Sequence, residues 1–329
     1  MTLRADLCSL GLDTSCYTTS VALVDGGGLV YDGRTPLEVS PGAIGLRQSD
    51  AVFQHVRNTP GLIEAALRIA RQRGLRIAAV GASAWPRRTE GSYMPVFLTG
   101  SGFGRAMSAS LGAPYIEVSH QEGHIAAASW SSDLGIARRG GFLALHLSGG
   151  TTELLAVHDR TSVELLGGTE DLNAGQFVDR VGVRLGIPFP AGPGLELLAA
   201  GGELGAVRLP VAVARDRGRG SLGISLSGPC SAAMRELDAG RRPADVALGV
   251  LECIGRSVAA LCVDGLRATG LCEVLASGGV ASNSVIREVM RDEVTCMVPR
   301  SSLHFAAPEH SRDNAVGAAL LALMTHVDD

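Results

Sequence analysis

Aromatic side chains are scarce in this chain of 329 residues, at 4% of the total. With 43 glycines and a hydrophobic fraction of 46%, that scarcity argues for closely packed α/β layers and tight turns. No Cys-x-x-Cys pair occurs, and the seven cysteines (Cys8, Cys16, Cys230, Cys253, Cys262, Cys272 and Cys296) are odd in number. A disulfide framework is therefore not expected, and buried free thiols in a reducing compartment fit the pattern. The opening residues, MTLRADLCSLGLD, hold neither a signal core with a cleavage site nor a spanning run of about 20 apolar residues, so a cytoplasmic protein without a membrane role is the expectation. Net positive charge is missing too. A formal charge of −4 offers nucleic acid no global attraction, so any RNA must be held by local arginines or by a partner. The length leaves room for two lobes and a cleft.

What is present begins with a duplication. The stretch LGLDTSCYTTSVALVD from Leu10 aligns without a gap on LALHLSGGTTELLAVH from Leu143: Leu12 falls on Leu145, Ser15 on Ser148, Thr18 on Thr151 and Thr19 on Thr152. Each copy reads as an apolar strand, a Ser/Thr/Gly turn and a second apolar strand, the pattern of a hairpin with a hydroxyl-rich tip. Chance sharing of threonine, a good strand residue, is the plain alternative. The tip at Ser148, Gly149, Gly150 and Thr151 exposes backbone N–H groups that can cradle a phosphate. In the first copy the matching phosphate-loop candidates are Asp13, Ser15 and Thr18. Two facing tips would clasp a nucleotide between lobes.

A third glycine motif, EVLASGGVASNSVIREVM, reads as a buried strand, a Gly278-Gly279 turn and a helix opening near Ser282 and Asn283. Between the motifs, Phe177, Val181 and Leu185 form an apolar helical stripe, with Asp171 ahead of that helix and Asp179 inside it. The turn that follows holds Pro190, Gly192 and Pro193 and reads as a site wall.

His120 and His124 lie four apart in VSHQEGHIAAASW. On a helix such residues stack with Cβ atoms about 5–6 Å apart, so both rings can reach one point, as a metal ion requires. A zinc protease of the H-E-x-x-H type needs a glutamate directly after the first histidine; here that place is Gln121. Glu122 falls about 200° around the helix from His120. Two polar residues packed at a lobe junction would be the plain reading of the pair. Asp313, ahead of the last apolar helix, is either that helix's cap or a third ligand brought from the opposite lobe, giving an open site for iron or zinc. His304 and His310 lie nearby, but nothing in the sequence makes them ligands.

Together, GLDTSCYTTSVALVD, HQEGH, LSGGTTELL, AGQFVD, SLSG, ASGGVASN and RDN resemble the TsaD (Gcp) family, once labelled O-sialoglycoprotein endopeptidase of peptidase family M22. The resemblance covers nearly the whole chain. It implies an α/β, duplicated two-lobe actin-like ATPase and sugar kinase (ASKHA) fold with an inter-lobe nucleotide cleft. An N-terminal lobe at 1–125 would carry the histidine pair and a C-terminal lobe at 140–329 most of the nucleotide motifs. The activity implied is metal-dependent transfer of a threonylcarbamoyl group from threonylcarbamoyl-AMP to N6 of the anticodon-adjacent adenosine of tRNA. The implied metal ligands are His120, His124 and Asp313, holding one divalent ion, iron ahead of zinc. Ligand contacts would fall on Leu147, Ser148, Gly149, Gly150, Thr151, Asp179, Gly192 and Asn283, and TsaB-like and TsaE-like proteins would be partners. No catalytic base is indicated.

The chain departs from the family's pattern in several places. Asp13 stands where glutamate is usual, and Tyr17 replaces an acid. Thr151 and Thr152 replace the usual His-Thr at the tip, and Cys230 stands at a usual lysine. The bulky segment WPRRTEGSYMPVF, Trp85 to Phe97, replaces a small Gly-Pro-Gly segment, which should reshape the acceptor side. A paralogue with another acceptor, a metallopeptidase and a non-catalytic actin-like partner are the alternatives. Candidate RNA contacts are Arg87, Arg88, Arg138, Arg139, Arg215, Arg217 and Arg219.

Overall fold

Strand β1 (Leu7–Asp13) is buried at every position and pairs antiparallel with β2 (Thr18–Asp25), placing Leu10 opposite Leu23. The computed structural model describes residues 5–15, 17–39, 46–136, 140–169, 171–211, 213–215, 222–311 and 313–328. β3 (Gly28–Pro36) extends the hairpin on its far side, and helix α1 (Gln48–Gln72) then leads to β4 (Arg76–Trp85), which runs parallel to β1. α2 (Phe97–Leu111), β5 (Tyr115–Ser119) and α3 (His120–Trp130) follow, and the sheet order is β3-β2-β1-β4-β5.

The second copy repeats the plan. β6 (Phe142–Leu147) and β7 (Thr152–Val157) form an antiparallel hairpin with Leu145 opposite Leu154, and β8 (Val163–Thr169) adds to β7. Then come α4 (Ala174–Arg184), α5 (Gly192–Ala199), the short strands β9 (Val213–Arg215) and β10 (Leu222–Ile224), α6 (Ser227–Asp238) and the 27-residue α7 (Pro243–Thr269). β11 (Glu273–Ser277), α8 (Ser284–Met297) and β12 (Ser302–Phe305) close the sheet in the order β12-β11-β6-β7-β8-β10-β9. The run β8-β7-β6-β11-β12 has the same pairings as the first sheet, two antiparallel and then two parallel. The hairpins read from sequence are therefore the opening halves of two copies of one sheet plan.

Among the described residues, α7 is the one helix long and apolar enough to cross a membrane, and 83% of its apolar window is buried. Its all-round apolarity marks a core helix. Four thiols (Cys8, Cys230, Cys253 and Cys262) are buried and unpaired, whereas Cys272 and Cys296 are exposed; Cys16 lies outside the described residues. Burial pushes the Cys262 thiol up to about 12, so it stays neutral and unreactive.

The last helix, α9 (Val316–Asp328), departs from the expected domain plan. One unit comprises Met1–Ser131 with Glu309–Asp329, and the other Ser132–Pro308, so the chain's end does not belong with residues 140–308. Glycines in β1 and β4 make the seat for α9: a β-carbon on Gly11 would lie 2.3 Å from the Ala315 carbonyl oxygen, and one on Gly81 2.3 Å from that of Ala318. Ser9 Oγ donates to the Ala319 carbonyl at 2.6 Å, and the Ala315 amide donates to Ser20 Oγ at 2.6 Å. Apolarity reveals that a helix is buried; these long-range partners select the sheet it covers.

Candidate metal centre

The sequence Ser119-His120-Gln121-Glu122 forms a capping box. Ser119 Oγ accepts from the Glu122 amide at 3.1 Å, and Glu122 Oε2 accepts from the Ser119 amide at 2.6 Å. This starts α3 at His120 and sets the register of its first turn. The S-x-x-E signature was present in the sequence as the signal for Glu122. Arg88 completes the arrangement, donating to Glu122 from Nε at 2.6 Å and from Nη2 at 3.2 Å.

His120 and His124 follow on one face of α3, their ring centroids 4.3 Å apart. Their Nε2 atoms are 3.0 Å apart, and Asp313 Oδ1 lies 3.2 Å from His124 Nε2 and 3.5 Å from His120 Nε2. Donors around an ion at about 2.0–2.1 Å stand roughly 2.9–3.4 Å from one another, so this spacing fits one small cation. Asp313 lies ahead of α9 with Oδ1 turned to the two rings. It belongs to the same unit as the histidines, which corrects the expectation of a carboxylate from the opposite lobe. Burial alone would raise the Asp313 pKa, but the hydrogen bond with His124 and the charges of His120 and His124 hold it below the usual carboxylate range.

The α3–α9 crossing makes this convergence. A β-carbon on Gly317 would lie 1.8 Å from the Gly123 carbonyl oxygen, so the two backbones touch where each helix has no side chain. Gly123 lies between the histidines, and Asp313 stands just ahead of α9.

Asp13, read from the sequence as a phosphate-loop candidate, turns its carboxylate toward His120. Its carboxylate is 2% exposed; Oδ1 accepts from Ser15 N at 2.9 Å and Ser15 Oγ at 2.5 Å, and Oδ2 accepts from Ser83 Oγ at 2.5 Å and faces His120 Nδ1 at 3.0 Å. Ser15 is thus also engaged with Asp13, while Thr18 opens β2 opposite Pro36. Burial pushes the Asp13 pKa up, yet the neighbouring His120 charge and the hydrogen bonds from His120, Ser15 and Ser83 bring it far below the ordinary value. With a metal ion bound, an ionised Asp13 would favour the His120 proton on Nδ1 and leave Nε2 to donate its lone pair. Asp13→Asn is expected to weaken divalent-metal binding about 10–100-fold, checked by competition with a chelator of known affinity.

In the other unit the tip from Ser148 to Thr151 is closed by Ser148 N to the Thr151 carbonyl at 2.8 Å and Thr151 N to Ser148 Oγ at 3.1 Å, leaving Gly149 and Gly150 exposed. Gly175 N donates to the Ser148 carbonyl at 3.2 Å, which fastens the tip to the start of α4. Leu147 has a fully buried side chain, so only its backbone can meet a ligand, and Gly278, at φ +99°, packs against its carbonyl. Asp179 Oδ1 accepts from Ala191 N at 2.8 Å, just before Gly192 opens α5, which ties α4 to the turn read as a site wall. Asn283 Oδ1 is the N-cap of α8, accepting from Ile286 N at 3.1 Å. A cavity of about 280 Å³ opens beside the tip, lined by Gly150, Thr151, Glu153, Thr169 and Asn173 among others.

Asp171 is a residue whose role sequence reasoning missed. It accepts from Ser225 Oγ at 2.6 Å, Leu226 N at 3.0 Å and Ser227 N and Oγ, fixing the SLSG turn at the start of α6. The N-terminal Asp-plus-Ser composition was the available signal. Asp171→Ala is expected to lower stability by about 1–2 kcal/mol, read as a drop in urea midpoint with unchanged slope.

The sequence profile described as "TsaD: tRNA N6-adenosine threonylcarbamoyltransferase" matches residues 44–320. The chain belongs to the TsaD family. A tRNA N6-adenosine threonylcarbamoyltransferase of Thermus thermophilus is 33% identical over 324 residues, covering 96% of this chain and 92% of that one. Among solved structures, HypF of T. kodakarensis superposes with a TM-score of 0.62 at 16% identity, over 99% of this chain and 48% of that longer one. A ROK hexokinase of Thermus thermophilus gives a TM-score of 0.50 at 19% identity, over 98% and 100%. These structural likenesses establish the α/β fold of actin-like ATPases and sugar kinases.

Against the TsaD pattern, the departures can now be placed. Cys230 lies in the first turn of α6 and is 5% exposed within the core, so its side chain packs where the family's usual lysine would need solvent or an anion. The chain has no lysine at all; its 29 basic residues are all arginine. Any anion contact made elsewhere by lysine would have to fall here to guanidinium groups or backbone amides. Tyr17 is half exposed. Of the arginines read as RNA contacts, Arg138, Arg139, Arg217 and Arg219 and the side chain of Arg215 lie outside the described residues, and Arg88 is engaged with Glu122.

Proposed function

We propose that this TsaD-family chain transfers a threonylcarbamoyl group from threonylcarbamoyl-AMP to N6 of the anticodon-adjacent adenosine of tRNA. The observation that carries the reading is the convergence of His120 Nε2, His124 Nε2 and an Asp313 oxygen, within 4.8 Å of one another, in a chain of this family. Two imidazoles and one carboxylate with open positions suit a divalent ion, iron ahead of zinc. When bound, such an ion supplies Lewis-acid polarisation of carbamoyl or phosphate oxygens.

The chain's own residues bind and orient. Asp13 keeps the His120 lone pair on Nε2, and the capping box fixes the turn on which both rings stand. The Gly149-Gly150 tip offers backbone amides to the phosphate, with Asp179, Gly192 and Asn283 toward the nucleoside. In the reaction the N6 nitrogen forms a bond to the carbamoyl carbon, the carbon–oxygen bond to phosphate breaks, N6 gives up a proton and AMP leaves. Holding the two reactants in register accounts for much of the acceleration. TsaB-like and TsaE-like proteins are the partners on this reading, and no membrane association is proposed.

Glu122 weighs against a peptidase: its carboxylate is 3% exposed and committed to Ser119 N and Arg88, and Gln121 occupies the place of the catalytic glutamate. The test is complementation of a strain depleted of its own TsaD, with tRNA nucleosides read by mass spectrometry. Appearance of threonylcarbamoyladenosine is expected; none, with partner proteins co-expressed, defeats the assignment.

A further inference from the structure

The segment from Trp85 to Phe97, where the family's pattern is a small Gly-Pro-Gly stretch, reaches the metal helix through one side chain. Arg88 grips both oxygens of Glu122, from Nε at 2.6 Å and Nη2 at 3.2 Å, and Nη2 also donates to the Glu117 carbonyl of β5 at 3.2 Å. Its guanidinium carbon stands 5.5 Å from the centre of the Trp85 ring, at the end of β4. One residue therefore joins β4, β5 and α3. The Glu122 side chain is 3% exposed, and its Oε2 also receives the Ser119 amide that closes the first turn.

We propose that Arg88 is a positioning residue for the metal centre: by neutralising and orienting Glu122 it holds the first turn of α3, and so sets His120 against His124. This rests on the metal reading given above. His120 is the first residue of α3 and His124 lies a full turn further in, so loosening the cap displaces one ring relative to the other. A buried carboxylate stripped of its partner turns toward water, and Glu122 can do so only by leaving the Ser119 amide. Two carboxylate oxygens and a planar fork make the pairing specific to arginine.

The test uses the full-length protein and Co²⁺ as probe, with affinity from titration and ligand geometry from the visible ligand-field bands. Arg88→Met is expected to bind Co²⁺ about 10–100-fold more weakly with shifted bands, and Arg88→Lys to shift the bands in the same direction by less. Adding Glu122→Gln to Arg88→Met removes the stranded charge while keeping an N3 side chain that caps, and should restore affinity to within about threefold of wild type. Arg105→Met, which breaks the exposed Arg105–Glu117 pair at 2.5 Å, should change neither readout. Wild-type affinity and bands in both Arg88 variants overturn the proposal alone. Wild-type protein that binds no Co²⁺ overturns the metal reading and this proposal with it.

Discussion

His124→Ala is expected to empty the metal centre and reduce transfer activity by more than about 100-fold. The ring contributes the donor 3.0 Å from His120 Nε2 and 3.2 Å from Asp313 Oδ1, and its loss leaves two ligands that no longer enclose an ion. Elemental analysis of dialysed protein should show metal per chain falling to a small fraction of wild type. The same change has a thermodynamic signature. An ion at 100 times its Kd stabilises the native state by about 2.7 kcal/mol, so chelation should lower the Tm of wild type and leave that of His124→Ala unmoved. Asp313→Asn should behave alike, because a neutral amide donates less charge to the ion. Full metal occupancy in both variants would falsify the ligand assignment.

Gly317→Val is expected to do comparable damage without touching a ligand. The added β-carbon would stand 1.8 Å from the Gly123 carbonyl oxygen, and carbon–oxygen contacts settle at about 3.3 Å or more, so α9 must retreat from α3 by roughly 1.5 Å. Metal sites tolerate about 0.2 Å in their ligand distances. Asp313 and His124 ride on opposite sides of that crossing, so their 3.2 Å separation opens and metal is lost. Overpacking should also cost about 1–3 kcal/mol of stability. Gly61→Ala, in α1 where an added β-carbon meets nothing within 4 Å, is the control; it should stabilise by about 0.5–1 kcal/mol and leave metal binding intact. A folded Gly317→Val protein with wild-type metal affinity would show that the crossing does not set the site.

Much of the fold could be read in advance where the signal is local. The two hairpins share hydroxyl positions and apolar alternation, and they fold as β1–β2 and β6–β7. The Gly278-Gly279 turn, the Asn283 cap and the Phe177–Val181 stripe depend on residues within a few positions of one another, and each lies in the predicted kind of element. Asp13 read as a phosphate-loop acid because its neighbours in sequence are hydroxyls. Its partner is His120, more than a hundred residues on, and no periodicity points that far. The Trp85–Phe97 segment read as one that reshapes the acceptor side; that its Arg88 also reaches back to Glu122 of α3 was not legible in the sequence.

By itself, then, the sequence determined the two opening hairpins, the helix that puts His120 and His124 on one face, and the family, because each rests on spacing along short stretches of chain. Tertiary structure alone decided that α9 returns to the first sheet, that Asp313 joins the histidines from within their own unit, and that Asp13 and Arg88 brace them from different strands and loops. The physical reason is close packing: where Gly11, Gly81, Gly123 and Gly317 lack side chains, backbones meet, and those meetings choose which distant residues become neighbours.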